Sequence, residues 1–415
     1  MRERTGELNR SKSGQGCWSH HCVRSESDFF MRRKIVIVTR STPLHRLGGM
    51  EVVLWDLAKE FARLGQDITV LTTSIGRTDA STSISGVKLA CLPCSSGKYS
   101  IKWWILSRRF FRENLAKDTD VVLSVSAGAF ALSRRGSKAA FVAQLHGTAW
   151  GEFLSKLRQR RLVPWLTSIR NLGWLLRDFR YRMFDVLTFV GPAVFEEASR
   201  APMSTVFGDY VPKRIITNGV SEEQFAFDGA QRLRIRRGLG YGDNDKVVVW
   251  SSRLHYQKGV LEGLRAFQIA AQTDGKLKML IVGDGPEKTS LERFVADNNL
   301  SARVTMTGRI PREDLPGYLS AADLFLFTTK RVEGLPMNVL EALANGLPAI
   351  VSNSINHPDF GAIGVEPDDS ANVARCIFAN GPRECRTSAL KEQYTLEFSA
   401  NEYLRLFSNI SAGAM

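Results

Sequence analysis

The chain has 415 residues, of which 44% are hydrophobic and 24% charged, and its formal net charge is +14. This length and composition predict a globular protein with two sizeable cores, and the apolar runs are only strand-length, which excludes a transmembrane helix. Six cysteines are too few for a disulfide scaffold. Residues 31–230 carry +12 of the charge, so we expect the first half of the chain to meet an anionic partner.

The first 30 residues are polar, show no periodicity and lack the apolar core of a secretion signal, so we expect a disordered N-terminal extension. Met31 directly precedes the first buried-strand pattern and is a candidate start of the natural protein. The segment from Cys17 to Cys22 holds two cysteines and two histidines, which are metal-ligand types. No second ligand pair at finger spacing follows it, so we expect no metal site there.

From Lys34 onwards, apolar runs typical of buried strands alternate with stretches of helical periodicity. Residues 50–64 form the clearest predicted helix, and Gly65 suits its end. A polar, glycine-containing segment at 221–245 predicts the linker between two domains. Strands are predicted at 34–38, 67–73, 87–92, 120–125, 140–145, 186–190, 214–217, 246–250, 277–282, 303–307, 323–327 and 348–352.

Strands that alternate with helices predict a parallel sheet covered on both faces. The sequence therefore predicts an α/β chain of two doubly wound, Rossmann-like domains. Ligands bind such sheets beyond the carboxyl ends of the strands, so the residues just after each strand are the candidates for function. The predicted division is an extension at 1–30, an N-terminal domain at 31–225, a C-terminal domain at 226–395, and a C-terminal helix within 396–415 that packs back across the domains.

Glu333 and Glu341 flank a predicted helix start that follows the strand 323–327. Pro336 suits the first turn of this helix, and the backbone amides beginning at Gly334 would be free at the positive end of the helix dipole. Free amides between two carboxylates suit a ligand that has both phosphate and hydroxyl groups. The alternative is one solvated glutamate and one that is merely favoured by the helix dipole.

Arg253 and Lys258 follow another predicted strand and open a helical stretch. Two cations in this arrangement suit a diphosphate clamped from two directions, although two solvated surface cations would give the same pattern. The next strand is followed by a glycine-rich turn that contains Gly283 and Gly285. Lys288 stands where a dinucleotide-binding fingerprint needs a further glycine, so the sequence excludes that motif.

An ordered series of short motifs runs along the chain: Gly48-Gly49-Met50-Glu51, Asn218-Gly219-Val220, Arg253 with Lys258-Gly259, Gly283-Asp284-Gly285-Pro286, Thr307-Gly308-Arg309, Ala322-Asp323, and Glu333 with Glu341. Their order and spacing resemble the retaining family 4 glycosyltransferases, which include group 1 enzymes of bacterial polysaccharide and lipopolysaccharide synthesis. The resemblance implies the GT-B fold, in which two Rossmann-like domains face each other across a cleft. Ser252 and residues 354–358 depart from the usual family pattern.

The resemblance implies roles for matching residues of the second domain. Arg253 and Lys258 would neutralise the diphosphate of a nucleotide-sugar donor. Glu333 would contact hydroxyls of the donor sugar, and Glu341 would bind the nucleotide ribose. Residues 308–310 would cradle the base.

In the first domain, the resemblance implies that Gly49 approaches the phosphates and that His146 lies near the far side of the sugar. The implied catalytic residues are Glu333, His146, Arg253 and Lys258. The implied donor-binding residues are Gly49, Arg253, Lys258, Gly283, Gly308, Arg309, Ile310, Glu333, Gly334, Leu335, Pro336 and Glu341.

The resemblance implies a retaining hexosyltransferase that moves a hexose-type sugar from a UDP- or GDP-sugar to a glycan or lipid-linked acceptor in cell-surface polysaccharide synthesis. Arg253 and Lys258 would stabilise the leaving diphosphate without a metal, so we expect neither metal nor cofactor. The Asp-x-Asp pairs at 118–120 and 243–245 precede strands and are interpreted as solvated turns. The alternatives are another GT-B enzyme, such as a nucleotide-sugar epimerase or a phosphorylase, or a non-catalytic, membrane-associated interaction protein.

Two stretches of the first domain, 101–117 and 152–185, mix aromatic residues with an excess of lysine and arginine. Such segments suit the interface of an anionic membrane. The alternative is that the aromatic rings pack on the sheet while the cations are solvated. We expect a cytoplasmic protein, peripheral on the inner face of the cell membrane, and no nucleic-acid partner, because the basic stretches match no nucleic-acid-binding motif.

Overall fold

The computed structural model describes residues 31–45, 48–76, 82–151, 153, 173, 176–331, 333–380 and 386–412. The predicted extension at 1–30, with its cysteine and histidine cluster, lies outside the described residues. So does most of the basic stretch at 152–185. The predictions made for these segments stay predictions.

Within the described ranges, eight strands form the first sheet in the order β3-β4-β2-β1-β5-β6-β7-β8. All neighbouring strands are parallel except β3 and β4, which are antiparallel. The strands are β1 (Lys34–Val38), β2 (Asp67–Thr73), β3 (Thr82–Ile84), β4 (Val87–Leu92), β5 (Val121–Val125), β6 (Ala140–Leu145), β7 (Val186–Phe189) and β8 (Lys213–Ile215).

Helices cover both faces of this sheet. Alternate residues of β1 belong to different hydrophobic clusters: Ile35 and Ile37 to one, Val36 and Val38 to the other. This alternation is expected of a strand that is buried on both sides. The described helices of this half are α1 (Gly49–Arg63), α2 (Ile101–Phe110), α3 (Pro192–Ser199) and α4 (Met203–Phe207).

The second sheet has six described strands in the order β11-β10-β9-β12-β13-β14, and all its neighbouring strands are parallel. They are β9 (Lys246–Ser251), β10 (Leu277–Val282), β11 (Val304–Gly308), β12 (Leu324–Phe327), β13 (Ala349–Ser352) and β14 (Ile363–Val365). The later helices are α5 (Glu222–Phe225), α6 (Gly229–Gly238), α7 (Val260–Thr273), α8 (Lys288–Asp297), α9 (Leu315–Ala321), α10 (Met337–Ala344), α11 (Ser370–Ala379) and α12 (Leu396–Ser411).

The prediction of two doubly wound α/β domains is confirmed. The prediction of a linker at 221–245 is wrong, because this segment contains α5 and α6. Arg232 of α6 lies 2.7 Å from the carboxylate of Asp323. Arg236, also of α6, is 3% exposed and donates hydrogen bonds to the carbonyl oxygens of Gly242 and Asp245. Arg232 and Arg236 are directed at carboxylate and carbonyl oxygens of the second half, whereas Arg234 and Arg237 are exposed.

The chain crosses between the two sheets at two adjacent segments. Val220 donates to the carbonyl of Tyr394 at 3.0 Å, and Leu396 donates to the carbonyl of Val220 at 3.0 Å. Beyond this crossing, α12 packs against the first sheet, where Tyr403 and Phe407 lie beside Phe61 of α1. No helix in the described part of the chain is long and apolar enough to cross a membrane.

Candidate functional site

The candidate residues of the second half lie on the loops that follow β9, β10, β11 and β12. Because β9 and β12 are neighbours in the sheet, the loops after Ser251 and Phe327 run side by side. The corresponding edge of the first sheet carries His146, directly after β6, and Gly49, the first residue of α1. The carboxyl edges of both sheets therefore supply the candidate site.

Lys258 and Glu333 form an ion pair at the centre of this site. The Lys258 Nζ atom lies 2.7 Å from Glu333 Oε1 and 2.9 Å from Glu333 Oε2. Thr329 donates a further hydrogen bond to Oε1 at 3.1 Å, and the ammonium lies 5.6 Å from the centre of the Phe327 ring. Both side chains are mostly buried, so their charges interact more strongly than those of an exposed pair.

Gly259 explains how Lys258 reaches this position. Its φ is +72°, and a Cβ atom there would lie 1.7 Å from the carbonyl oxygen of Thr328. Only glycine permits both the left-handed backbone and this close approach. Gly259 thus ends the short 3₁₀ turn that carries Lys258 and begins α7, with the loop after β12 packed directly against it.

Arg253 has a different environment from Lys258. Its side chain is exposed at the loop after β9, and among the described residues its guanidinium has no hydrogen bond or ion pair. A cation without a protein partner remains available to an anionic ligand. Arg253 also acts on its neighbour: burial lowers the pKa of His255, and the charge of Arg253 lowers it further.

The loops after β10 and β11 are joined by a backbone hydrogen bond, in which the Gly283 amide donates to the Gly308 carbonyl at 2.9 Å. Arg309 is exposed and Ile310 is partly buried against the hydrophobic core. Arg309 therefore lies accessible at the carboxyl edge of the second sheet, just after β11 and two strands away from β9.

Glu341 lies on α10 and is only 5% exposed. Arg312, which follows the β11 loop, donates to Glu341 Oε1 at 2.6 Å and to Asp56 Oδ2 of α1 at 3.2 Å. Burial raises the pKa of the Glu341 carboxyl, while Arg312 opposes that rise. Burial works to lower the pKa of Arg312, but Glu341 and Asp56 raise it above its ordinary value.

The two halves meet at Gly334. A Cβ atom on Gly191, which follows β7, would lie 2.8 Å from the Gly334 carbonyl oxygen. A Cβ atom on Gly334 would lie 2.8 Å from Val194 and 4.0 Å from the carbonyl oxygen of His146. The loop that carries Glu333, Gly334, Leu335 and Pro336 into α10 therefore packs against the first half of the chain.

His146 lies next to this contact between the two halves. Its Nε2 atom lies 3.1 Å from Gln144 Oε1. Burial lowers the pKa of the imidazole to about 4, and the negative charge of Glu51 only partly offsets this effect. His146 is therefore neutral at physiological pH and is suited to exchange hydrogen bonds with a hydroxyl group, not to supply positive charge.

The structure brings together Lys258 with Glu333, and Gly334 with the backbone at His146. Gly49 lies at the start of α1, and no atom of the described residues lies within 4 Å of the position that a Cβ would take there. Arg312 and Asp56 belong to none of the sequence motifs. Arg312 contacts Glu341 directly, and Asp56 contacts it through Arg312. Arg312 could have been found from its position in the sequence, two residues after the segment 308–310 that was expected to contact the base.

Two family sequence models match the chain. "Glycosyltransferase Family 4" matches residues 47–224, and "Glycosyl transferases group 1" matches residues 231–361. Together the two matches span twelve of the fourteen described strands, β2 to β13, and leave out β1 and β14. The chain belongs to the family 4, or group 1, glycosyltransferases of the GT-B fold.

A GDP-mannose-dependent α-(1-6)-phosphatidylinositol monomannoside mannosyltransferase from Mycolicibacterium smegmatis is 30% identical over 55% of this chain and 56% of its own length. An α-monoglucosyldiacylglycerol synthase from Streptococcus pneumoniae is 30% identical over 37% of this chain and 36% of its own length. Each of these matches therefore covers at most 56% of the relative's own length.

Solved structures share the fold at low sequence identity. A sucrose-phosphate synthase from Thermosynechococcus elongatus superposes with a TM-score of 0.71 at 18% identity, covering 92% of this chain and all of the other. WaaG, a glycosyltransferase involved in lipopolysaccharide biosynthesis, superposes with a TM-score of 0.61 at 14% identity, covering 91% of this chain and 95% of its own.

Proposed function

We propose that this protein is a retaining, metal-independent hexosyltransferase that uses a UDP- or GDP-sugar donor and a glycan or lipid-linked acceptor in cell-surface polysaccharide or glycolipid synthesis. The observation that carries the proposal is the mostly buried Lys258–Glu333 pair beside exposed Arg253, at the edge where GT-B sheets meet their ligands. The named relatives, a GDP-mannose-dependent mannosyltransferase and an α-monoglucosyldiacylglycerol synthase, support this class of reaction.

The chemistry follows from where charge develops. Breaking the bond between the anomeric carbon and oxygen leaves negative charge on the diphosphate and positive charge on the sugar ring. Lys258, held by Glu333, stabilises the first charge from a fixed position, which is more effective than reorganising solvent. Exposed Arg253 adds a second cation. Glu333 orients the ammonium of Lys258 and accepts hydrogen bonds from sugar hydroxyls.

Retention is proposed to occur by attack of the acceptor on the same face that the diphosphate leaves. Both oxygens of Glu333 bind Lys258, which makes this carboxylate a poor nucleophile. The leaving phosphate takes the proton of the acceptor hydroxyl. His146, neutral by virtue of its low pKa, hydrogen-bonds to the sugar without adding a charge that would oppose the developing cation.

We also propose that the protein binds an anionic membrane through α2. Trp103 and Ser107 face the core, whereas Ile101 and Ile105 are 80% and 61% exposed. Exposed cations flank them on the same segment: Lys102, Arg108, Arg109 and Arg112. Isoleucines a turn apart among cations suit insertion between anionic headgroups. The protein would then meet a lipid-linked acceptor at the cytoplasmic face of that membrane.

The test is sugar transfer by purified protein. Radiolabelled UDP-glucose, UDP-galactose and GDP-mannose are each incubated with native membranes, or with vesicles containing phosphatidylinositol or diacylglycerol. We expect one donor to label lipid or glycan, and Lys258→Ala to reduce the rate about 100-fold or more. Lys88→Ala, which removes a 2.7 Å ion pair with Asp67 on the far edge of the first sheet, is the matched control and should retain the rate.

Three results would contradict the proposal. Conversion of a donor without any acceptor indicates an epimerase, and labelling that is equally fast in the Lys258 variant places the chemistry elsewhere. EDTA should leave the rate of sugar transfer unchanged. Loss of transfer when EDTA is added would refute metal independence.

A further inference from the structure

Arg312 bridges two carboxylates that belong to different halves of the molecule. It donates to Glu341 of α10 at 2.6 Å and to Asp56 of α1 at 3.2 Å. The exposed fractions of the three side chains are 19% for Arg312, 6% for Glu341 and 14% for Asp56. Removing three charges from water costs free energy unless their mutual attraction and hydrogen bonds offset the lost hydration.

The arrangement is not needed to neutralise Asp56. Lys59, one turn further along α1, already lies 2.9 Å from the other oxygen of Asp56. Nor does the bridge satisfy Arg312 completely, because its buried Nε atom has no hydrogen-bond partner among the described residues. Packing fixes the guanidinium instead: its central carbon lies 5.3 Å from the centre of the Phe225 ring.

Arg312 hydrogen-bonds to only one of the two carboxylate oxygens of Glu341. It binds Oε1, and Oε2 accepts no hydrogen bond from the residues that the structure describes. A carboxylate with one oxygen held and the other available is suited to accept hydrogen bonds from a pair of neighbouring hydroxyls.

We propose that Arg312 is a positioning residue for nucleotide recognition, which fixes the Glu341 carboxylate so that its second oxygen accepts from the ribose hydroxyls. Through Asp56, the same guanidinium makes recognition of the ribose depend on contact between the two halves. The inference rests on the proposed function and on the ribose-binding role that the family resemblance implies for Glu341.

Calorimetry with nucleotides that differ only in the ribose tests this role. UDP, GDP, their 2′,3′-dideoxy analogues and inorganic diphosphate are titrated into the full chain and its variants. We expect the wild type to bind UDP or GDP at least tenfold more tightly than the dideoxy analogue. Arg312→Gln and Arg312→Lys should reduce that preference about tenfold, mainly by weakening the ribonucleotide, and leave affinity for inorganic diphosphate unchanged.

Asp56→Ala keeps the Arg312–Glu341 contact and removes the ion pair between Arg312 and the first half. This variant should also reduce the preference for the ribonucleotide over its dideoxy analogue, by a smaller factor than the Arg312 variants do. Lys59→Gln, which changes the other partner of Asp56, is the matched control and should keep the wild-type preference. The Asp56 variant also keeps the inference testable if the Arg312 variants do not fold.

The outcomes separate the two proposals. If wild-type protein binds neither UDP nor GDP, the proposed function fails and this inference fails with it. If the wild type binds, but the Arg312 variants weaken ribo- and dideoxynucleotides equally, the role of Arg312 is only structural and this inference alone is overturned. An Asp56 variant that behaves as wild type overturns the dependence on the first half.

Discussion

Lys258 and Glu333 are 75 positions apart, yet each was identified from the sequence because each stands in a motif beside a strand end. That they pair was not predictable, since pairing depends on β9 and β12 being neighbours in the sheet. Arg312 was missed for another reason. In the sequence it precedes two acids and has the pattern of a surface cation, whereas in the fold its partners are Asp56 and Glu341.

His146 gives a prediction at the scale of one residue. Its folded pKa of about 4 lies below the ordinary value of 6.5. Below pH 6.5 the unfolded chain therefore binds a proton that the folded chain excludes, so stability is complete above pH 6.5 and falls as the pH drops towards 4. At pH 5 this penalty is about 2 kcal/mol.

Urea unfolding at pH 7 and pH 5 measures the penalty. We expect His146→Gln, which does not titrate, to lose about 2 kcal/mol less stability than wild type between these pH values. Equal losses in the two proteins would show that His146 is not held neutral.

At the scale of elements, the longer strands were predicted within about two residues at each end because their apolar runs are bounded by polar residues. β3 and β14, which have three residues each, were missed, although the equally short β8 was predicted. α6 was missed because a helix that buries arginines against oxygen atoms has the composition of a linker. Composition reports polarity, whereas burial depends on the partners that the fold supplies.

The α2 surface gives a prediction at this scale. Burying an isoleucine in a membrane interface contributes roughly 1.5 kcal/mol or more, about tenfold in binding. We expect Ile101→Ser with Ile105→Ser to weaken binding to vesicles containing phosphatidylglycerol at least tenfold, measured by co-sedimentation. Both side chains are exposed, so folding should be unaffected.

The matched control is Leu233→Ser with Ile269→Ser, which removes two exposed apolar side chains from the second half. It should bind vesicles as wild type does. Equal binding by the α2 variant, or equal binding of wild type to uncharged phosphatidylcholine vesicles, would contradict the proposed membrane surface.

At the scale of the whole molecule, the alternation of strands and helices was sufficient to predict two parallel sheets, because few other architectures bury such strands on both faces. The order of strands within each sheet was not predictable, because it depends on how successive crossovers wind. The contact between the halves, through Gly191 with Gly334 and Asp56 with Arg312, was likewise hidden. These contacts join residues whose local sequences carry no sign of each other.

The central claim is that a nucleoside diphosphate binds at Lys258 and Arg253. Thermal unfolding in the presence of UDP, GDP and their sugars, with and without EDTA, tests it most directly. A nucleotide at 100 times its dissociation constant should add about 2.7 kcal/mol to the free energy of unfolding. We expect UDP or GDP to give this shift in wild type and Lys88→Ala, unaffected by EDTA, and to lose most of it in Lys258→Ala. No shift with any nucleotide, or an undiminished shift in the Lys258 variant, would contradict the account.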